Sequence, residues 1–588
     1  MQATAPHASA QLEPPRPPEQ ASGYAPKPLQ RFTREAVVAA HPLAAEAGAR
    51  MLREGGSALD AAVAAQMVLG LVEPQSSGIG GGAFLLHWDG ERVRAYDGRE
   101  TAPAAVDDTL FLGPQGTPLA FEAAAVGGRA VGVPGLLRML ELAHLAHGRL
   151  PWARLFEPAI ELAEQGFAVG PRLHALLEGD TALRQDRLAR ALYYRDDGRA
   201  QPVGTLLRNP EYAATLALVA RHGASALHEG PLAQAIVAAV HGHAANPGRL
   251  SLADMAGYRA LAREPLCHDW RRFRLCGMPP PSSGALVVGQ ILGLLERLPA
   301  AAAAEHREGM PSVDFVHRYS EAARLAYADR EHHVADPAFA APPLGRWESL
   351  LDADYLDARA RLVGPRARPE ASHGMPGQSA DEPPAMQAAA TELPATTHLS
   401  VVDAAGHAVA LTASIEAQFG ARLMVNRGAG LAGGFLLNNQ LTDFSFVARV
   451  ATTGLASNRA EPGKRPRSSM APTLVFERRA QPPARLVLVA GSPGGVPIPL
   501  YVAKALWATL AWEIDPQAAA SLPNFGAIGA VTLLEAERFS RADAALLRAR
   551  GHALVETALT SGAHLLLRSS DGWQAGCDPR REGVAAGR

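Results

Sequence analysis

The chain has 588 residues in which 56 Lys and Arg face 58 Asp and Glu, a formal net charge of −2, so neither a nucleic-acid surface nor an anionic-membrane surface is indicated. No apolar run reaches the roughly 18 residues of a membrane span. The three cysteines, Cys267, Cys276 and Cys577, have no metal-ligand spacing and predict free buried thiols.

Residues 1–30 are Pro-rich and polar, without a basic stretch leading into an apolar one. They predict a disordered tail, extending to residue 34, on a cytoplasmic enzyme, not a secretory signal. Residues 42–54 and 58–71 carry helical apolar spacing, separated by Gly55-Gly56 with Ser57 as N-cap. Residues 84–88 and 92–96 predict a hairpin around Asp89-Gly90. Helical spacing returns at 136–145, 212–221, 232–241, 286–298 and 313–329. The stretch 364–395 is rich in Pro, Gly, Ser and Ala and predicts an accessible loop. Strands follow at 398–402 and 407–411 around the turn Asp403-Ala404-Ala405-Gly406, then at 434–438, 473–477 and 486–490, with a helix over 500–511. Layers of strand covered by helices on both sides account for this α/β order.

Thr396-Thr397-His398 stands where the loop gives way to a strand. A Ser/Thr pair at a strand start is usually structural. If the chain is cut before Thr396, however, the new α-amine lies beside its own hydroxyl. Such an amine titrates near ~7.7 and serves as the base that activates a poor nucleophile.

The surrounding segments give that reading weight. Thr396 to Asp403, Leu437-Asn438-Asn439-Gln440-Leu441-Thr442-Asp443-Phe444, Ser468-Ser469-Met470-Ala471-Pro472-Thr473 and Gly491-Ser492-Pro493-Gly494-Gly495 occur in order. Together they resemble the small subunit of the γ-glutamyltranspeptidases. Pro74 to Gly82, Arg99-Glu100-Thr101-Ala102-Pro103, Gly132-Val133-Pro134-Gly135 and Tyr327-Ala328-Asp329-Arg330 resemble the large subunit, and Asp578-Pro579-Arg580 the end of the small one. The resemblance runs from about residue 35 to the C-terminus. It implies the four-layer αββα sandwich of N-terminal-nucleophile hydrolases. It also implies self-cleavage between Ala395 and Thr396 into a large piece, 35–395 behind the tail, and a small catalytic piece, 396–588, that stay together as a heterodimer.

The same resemblance implies the site. Thr396 is the nucleophile toward a γ-glutamyl amide such as glutathione, and Gly494 and Gly495 supply backbone N–H groups to the oxyanion. Arg99, Ser468 and Ser469 bind the α-carboxylate, and Gln440 and Asp443 bind the α-ammonium. No metal and no cofactor is implied, and the only other partner is a small-molecule substrate, with no nucleic acid and no membrane.

Two positions depart from the family pattern. Ser414 and Glu416 stand where many members have Thr and Asn. Ser414 keeps a hydroxyl for Thr396, whereas Glu416 puts a carboxylate in place of a neutral amide. That carboxylate either strengthens the grip on an ammonium or turns the pocket toward a substrate other than glutathione, while a glutaryl amide, lacking an ammonium, gains nothing from it. The segment 445–467 is long enough to cover the pocket but has no Tyr or Trp, which predicts more hydrolysis than transpeptidation. Three alternatives stay open: a glutaryl-amide hydrolase of the cephalosporin acylase kind, an unprocessed inactive member acting as a binding protein, and a nicotinamide oxidoreductase resting on Gly78 to Ala83. The last fits poorly, because a Rossmann glycine loop follows a strand and opens a helix, the reverse of the order here. His332-His333 reads as a charged helix end, and Arg271-Arg272-Phe273-Arg274 as a solvated strand edge.

Overall fold

In the computed structural model, which describes residues 22–299, 304–307, 309–377, 395–428, 430–450, 454–478 and 484–588, two seven-stranded antiparallel sheets lie face to face. Across the first sheet the order is Val584–Gly587, Ala36–Ala39, Ala395–Val402, Ala408–Glu416, Gly82–Trp88, Val93–Gly98 and Leu261–Arg263. Across the second it is Gln30–Phe32, Gly572–Cys577, His564–Ser569, Arg485–Gly491, Thr473–Glu477, Phe273–Gly277 and Leu266–Trp270.

Every residue of Ala395–Val402 and Ala408–Glu416 is buried, because successive side chains of a strand point to opposite faces and both faces are covered. Leu399, Val401, Val409, Leu411 and Ala413 pack into a core with Met51, Val63, Leu69 and Leu140 from the outer helices Pro42–Arg53, Ala58–Val72 and Leu136–His147. Val402, Ala408 and Ala410 face the second sheet, in a core with Leu474, Val489 and Leu566 and with the helices Gly284–Arg297, Val313–His333 and Ile498–Leu510 beyond it. The result is the expected four-layer αββα sandwich. Thr396, two residues along from His398 and four from Ser400, shares the parity of Val402 and so looks into the space between the sheets.

Most expected elements form with small changes of boundary. Ser57 caps Ala58–Val72 through a reciprocal capping box with Asp60. The expected helix 313–329 runs on to His333, and the strand expected from 398 begins at Ala395. The segment Gly78 to Ala83 follows a helix and leads into Gly82–Trp88, the wrong order for a dinucleotide loop.

Two expectations are corrected. Of the expected 1–34 tail, residues 1–21 lie outside the described residues, but 22–34 are built into the fold. Gln30–Phe32 pairs with Gly572–Cys577, Ser22 and Ala25 donate backbone N–H groups to Arg580 and Pro579, and Lys27 Nζ donates to the Arg581 carbonyl at 2.7 Å. A polar, Pro-rich stretch buries little apolar surface yet can still satisfy an open sheet edge, which composition alone does not reveal. The cysteines also differ from expectation. Cys267 and Cys276 form a disulfide, because the hairpin turn at Arg271 and Arg272 places them directly opposite on adjacent strands. Cys577 is the free buried thiol. In the expected loop 364–395, residues 378–394 lie outside the described residues. The part before them is docked, with Gly374 N–H donating to Asp329 at 2.8 Å and Arg359 to the Ser372 carbonyl at 2.8 Å.

Candidate active site

Thr396 stands near the start of a central strand, 4% exposed. It pairs with Ser414, and a bulge separates it from Ala395, which pairs with Glu416. A bulge re-aims the side chain beside it. The Thr396 hydroxyl donates to Ser414 Oγ at 3.4 Å. Ser414 Oγ donates to the Ala395 carbonyl at 2.8 Å and accepts the Glu416 N–H at 2.9 Å. One hydroxyl therefore touches both the Thr396 hydroxyl and the peptide carbonyl that precedes it. Thr397 points to the opposite face, its hydroxyl 3.5 Å from Glu73, which is ion-paired with buried Arg172.

A small cavity opens beside Thr396. Ser414 and Glu416 line it from the neighbouring strand, Arg99 from the end of Val93–Gly98, and Gln440 and Asp443 from a short 3-10 turn. Ser468, Ser469 and Gly495 line it too, with Met470 and Ile498 as its apolar part. Gly494 lies just behind, with a φ of 132° and the Tyr501 ring only 2.5 Å from where a Cβ would stand, so only glycine fits there. Gly495 has a φ of 67°, also in the region that L side chains rarely adopt. Nine of the ten residues singled out from the sequence thus meet at one cavity, and the tenth is its immediate support.

Within the cavity the charges are partly committed. Arg99, 1% exposed, is ion-paired with Asp443 and donates Nε to the Pro466 carbonyl at 3.1 Å and Nη2 to the Arg467 carbonyl at 2.7 Å. Gln440 Nε2 donates to Asp443 at 2.6 Å. Glu416 is held at a φ of 77°, a conformation that costs a non-glycine residue of order 1–3 kcal/mol and tends to persist at functional sites. Glu100, fully buried with Arg99 3.8 Å away, has its carboxyl pushed up to about 8 by burial, which outweighs the opposing pull of Arg99. It therefore holds a proton at neutral pH.

His398 is not a base for this chemistry. Its ring is bonded to Thr412 Oγ1 at 2.8 Å and Ser400 Oγ at 3.1 Å, and burial holds its pKa well below the usual histidine range. His332 ends its helix stacked on His373, ring centroids 3.5 Å apart, and Arg271 and Arg272 sit exposed at a hairpin turn. The 445–467 segment has its aromatic at Phe446, stacked on Phe111 at 4.3 Å and 6.3 Å from Phe121. That ring packs with Phe121, Ala125 and Ala417, the last adjoining Glu416.

The sequence reading gave no role to three arginines that shape the site. Arg581 reaches the Thr396 carbonyl at 3.5 Å, Arg467 presents its carbonyl to Arg99, and Arg330 donates to Ser469 Oγ at 2.7 Å. Arg330 closes the Tyr327-Ala328-Asp329-Arg330 segment, and Arg467 and Arg581 each adjoin another of the quoted segments, so adjacency was the available signal.

A family profile described as gamma-glutamyltranspeptidase matches residues 44–588. The chain is 32% identical over 495 residues to the glutathione hydrolase proenzyme of Bacillus subtilis (strain 168), covering 83% of this chain and 80% of that protein. It is 34% identical over 539 residues to the acylase ACY 1 proenzyme of Pseudomonas sp. (strain V22), covering 90% and 89%. The crystal structure of cephalosporin acylase from Bacillus halodurans shares its fold, with a TM-score of 0.79 over 100% of this chain and 99% of that one at 24% identity. With a profile match over almost the whole folded chain and a cavity built from the residues its motifs single out, this chain belongs to the γ-glutamyltranspeptidase family and is an enzyme of that hydrolase and transpeptidase type.

Proposed function

We propose that the protein is a self-processing γ-glutamyl amide hydrolase and transferase that works through Thr396. The observation that carries this reading is the Ser414 hydroxyl, donating to the Ala395 carbonyl at 2.8 Å while accepting from Thr396 Oγ1 at 3.4 Å. In processing, the Thr396 hydroxyl attacks the Ala395 carbonyl carbon. Ser414 stabilises the oxygen that gains charge, the C–N bond breaks, and the Thr396 nitrogen leaves carrying a proton. The resulting ester is hydrolysed by water, which releases Ala395 as a carboxylate and Thr396 with a free amine and hydroxyl. The two pieces remain a heterodimer.

In turnover that amine takes the proton of the Thr396 hydroxyl, which attacks the γ-carbonyl of the substrate. Backbone N–H groups of Gly494 and Gly495 hold the oxyanion, each such donor typically being worth ~2.7–4 kcal/mol. Arg99, Ser468 and Ser469 grip the α-carboxylate, and Asp443, Gln440 and Glu416 the α-ammonium. The protonated leaving amine departs, and water or an acceptor amine resolves the acyl-enzyme. With no Tyr or Trp in 445–467, hydrolysis leads over transfer. Glu416 and Asp443 together favour glutathione and related γ-glutamyl compounds over glutaryl amides, which offer these carboxylates no cation. The Cys267–Cys276 disulfide favours an oxidising compartment over the cytoplasmic one expected from the sequence.

A denaturing gel tests the central step. Two bands for 1–395 and 396–588 are expected from wild type and one full-length band from Thr396→Ala. A single band from active wild type overturns the reading. An acceptor titration on a chromogenic γ-glutamyl anilide tests the balance of outcomes, since strong rate stimulation by dipeptides would reverse the assigned order.

A further inference from the structure

Arg330 lies in the last turn of Val313–His333, 1% exposed and behind the cavity wall. Its Nη2 donates to Ser469 Oγ at 2.7 Å and its Nε to Ser283 Oγ at 2.9 Å. Ser283 passes the restraint on, donating its hydroxyl to the Ser468 carbonyl at 2.8 Å and its N–H to the same oxygen at 2.7 Å. The third nitrogen, Nη1, pairs with Glu331, whose other carboxylate oxygen holds Arg467. One guanidinium therefore fixes the stretch 467–469 from three directions, which a planar fork can do and a lysine ammonium cannot.

The direction of these bonds matters as much as their number. A hydroxyl has one hydrogen to give. When its oxygen accepts from a guanidinium, one of its two lone pairs is taken and the hydroxyl is biased toward donating that hydrogen to a further acceptor. Ser469 lines the cavity in this state. Ser468 is set the same way, its Oγ accepting the Met470 N–H at 3.2 Å. Two hydroxyls so arranged beside Arg99 suit an anion, and a guanidinium behind one of them makes it the stronger hydrogen-bond donor.

We propose that Arg330 is a positioning residue that sets the polarity of the Ser469 hydroxyl, making it a hydrogen-bond donor to the α-carboxylate of a γ-glutamyl substrate. The proposal rests on the reading of Ser468 and Ser469 as carboxylate-binding residues. Arg330 itself touches no reacting atom.

The test is steady-state kinetics on a γ-glutamyl anilide, with competitive inhibition by L-glutamate, for wild type, Arg330→Gln, Arg330→Lys, Ser469→Ala and the Ser469→Ala/Arg330→Gln double variant. Each preparation is checked for cleavage by gel and for its denaturation midpoint. The expected result is a roughly tenfold rise in KM and in the L-glutamate inhibition constant for Arg330→Gln, with kcat changed far less, and no further rise when the change is made on Ser469→Ala. Arg330→Lys is expected to show much of the same rise, and it decides the matter if Arg330→Gln does not fold. A fall in kcat at unchanged KM, or effects of the two substitutions that simply add, overturns the proposal. If Ser469→Ala raises KM and neither Arg330 variant does, the positioning role fails while the carboxylate reading stands. If Ser469→Ala leaves KM and the inhibition constant unchanged, the carboxylate reading fails and the positioning role falls with it.

Discussion

Ser414 and Ala395 are joined across the strand pair by a 2.8 Å hydrogen bond from the hydroxyl of one to the carbonyl of the other. That bond polarises the carbonyl that Thr396 attacks in the proposed self-cleavage. Ser414→Ala removes it without filling the space, so self-cleavage should slow by about 10²–10³, the usual cost of one oxyanion donor. A time course of fresh preparations on denaturing gels measures this. Cleavage at the wild-type rate would assign the carbonyl's polarisation to another group.

Glu416 offers the cavity a carboxylate beside Asp443. Glu416→Gln keeps the shape and removes the charge. The ratio of kcat/KM for a γ-glutamyl anilide to that for a glutaryl anilide should fall by about tenfold or more, since a hydrogen bond to a charged group contributes ~1.5–3 kcal/mol. An unchanged ratio would mean that Glu416 does not meet the ammonium.

Glu100 gives the folded protein a pH dependence of defined sign. Its carboxyl titrates at about 8 when buried, against 4.5 for the ordinary group. Between those values the folded chain holds a proton that the unfolded chain has lost. Its contribution to stability is therefore fully present below about 4.5 and is lost as pH rises through 8. Glu100→Gln should flatten this part of the stability profile, read as urea midpoints from pH 5 to 9. An equally steep fall in the variant would place the titration elsewhere.

Asp578 behaves in the opposite sense. Burial tends to raise it, but Arg580, Ser561 and backbone N–H groups outweigh that and hold it at about 2, against 3.8 ordinarily. Its contribution is present above about 3.8 and is lost as pH falls through 2. Asp578→Asn breaks a buried pair with Arg580 and should cost about 3–5 kcal/mol at neutral pH, measured by denaturant unfolding of the uncleaved Thr396→Ala protein. A loss under 1 kcal/mol would show that Glu535, which also pairs with Arg580, suffices alone.

The layers of the fold were legible because a helix such as 42–54 announces itself by local apolar period, and buried elements such as 58–71 and 473–477 by apolar runs bounded by turn signals. The site was legible only as a set of marked segments. Nothing local says that Arg99 meets Asp443, 344 residues away, or that Ser414 lies opposite Thr396, since register is settled by both faces of the sheet at once. Residues 22–34 were misread for a related reason. Their partner is an exposed strand edge near the C-terminus, and a stretch whose bonding is supplied by distant backbone looks structureless when read alone. The Cys267–Cys276 pair depended on a turn whose position fixes which residues face each other.

Both sheets draw strands from either side of Thr396. In the first, Ala36–Ala39 is flanked by Val584–Gly587 and Ala395–Val402, and in the second Gln30–Phe32 adds to Gly572–Cys577. Scission at Thr396 would therefore leave two polypeptides threaded through each other, and neither leaves without dismantling both sheets. Maturation then acts as a ratchet. The cut enzyme keeps its shape by slow escape, and once heated apart it has no tether to bring its halves back into register. The Thr396→Ala chain, still in one piece, should regain its fold after thermal denaturation far more completely than the mature enzyme does.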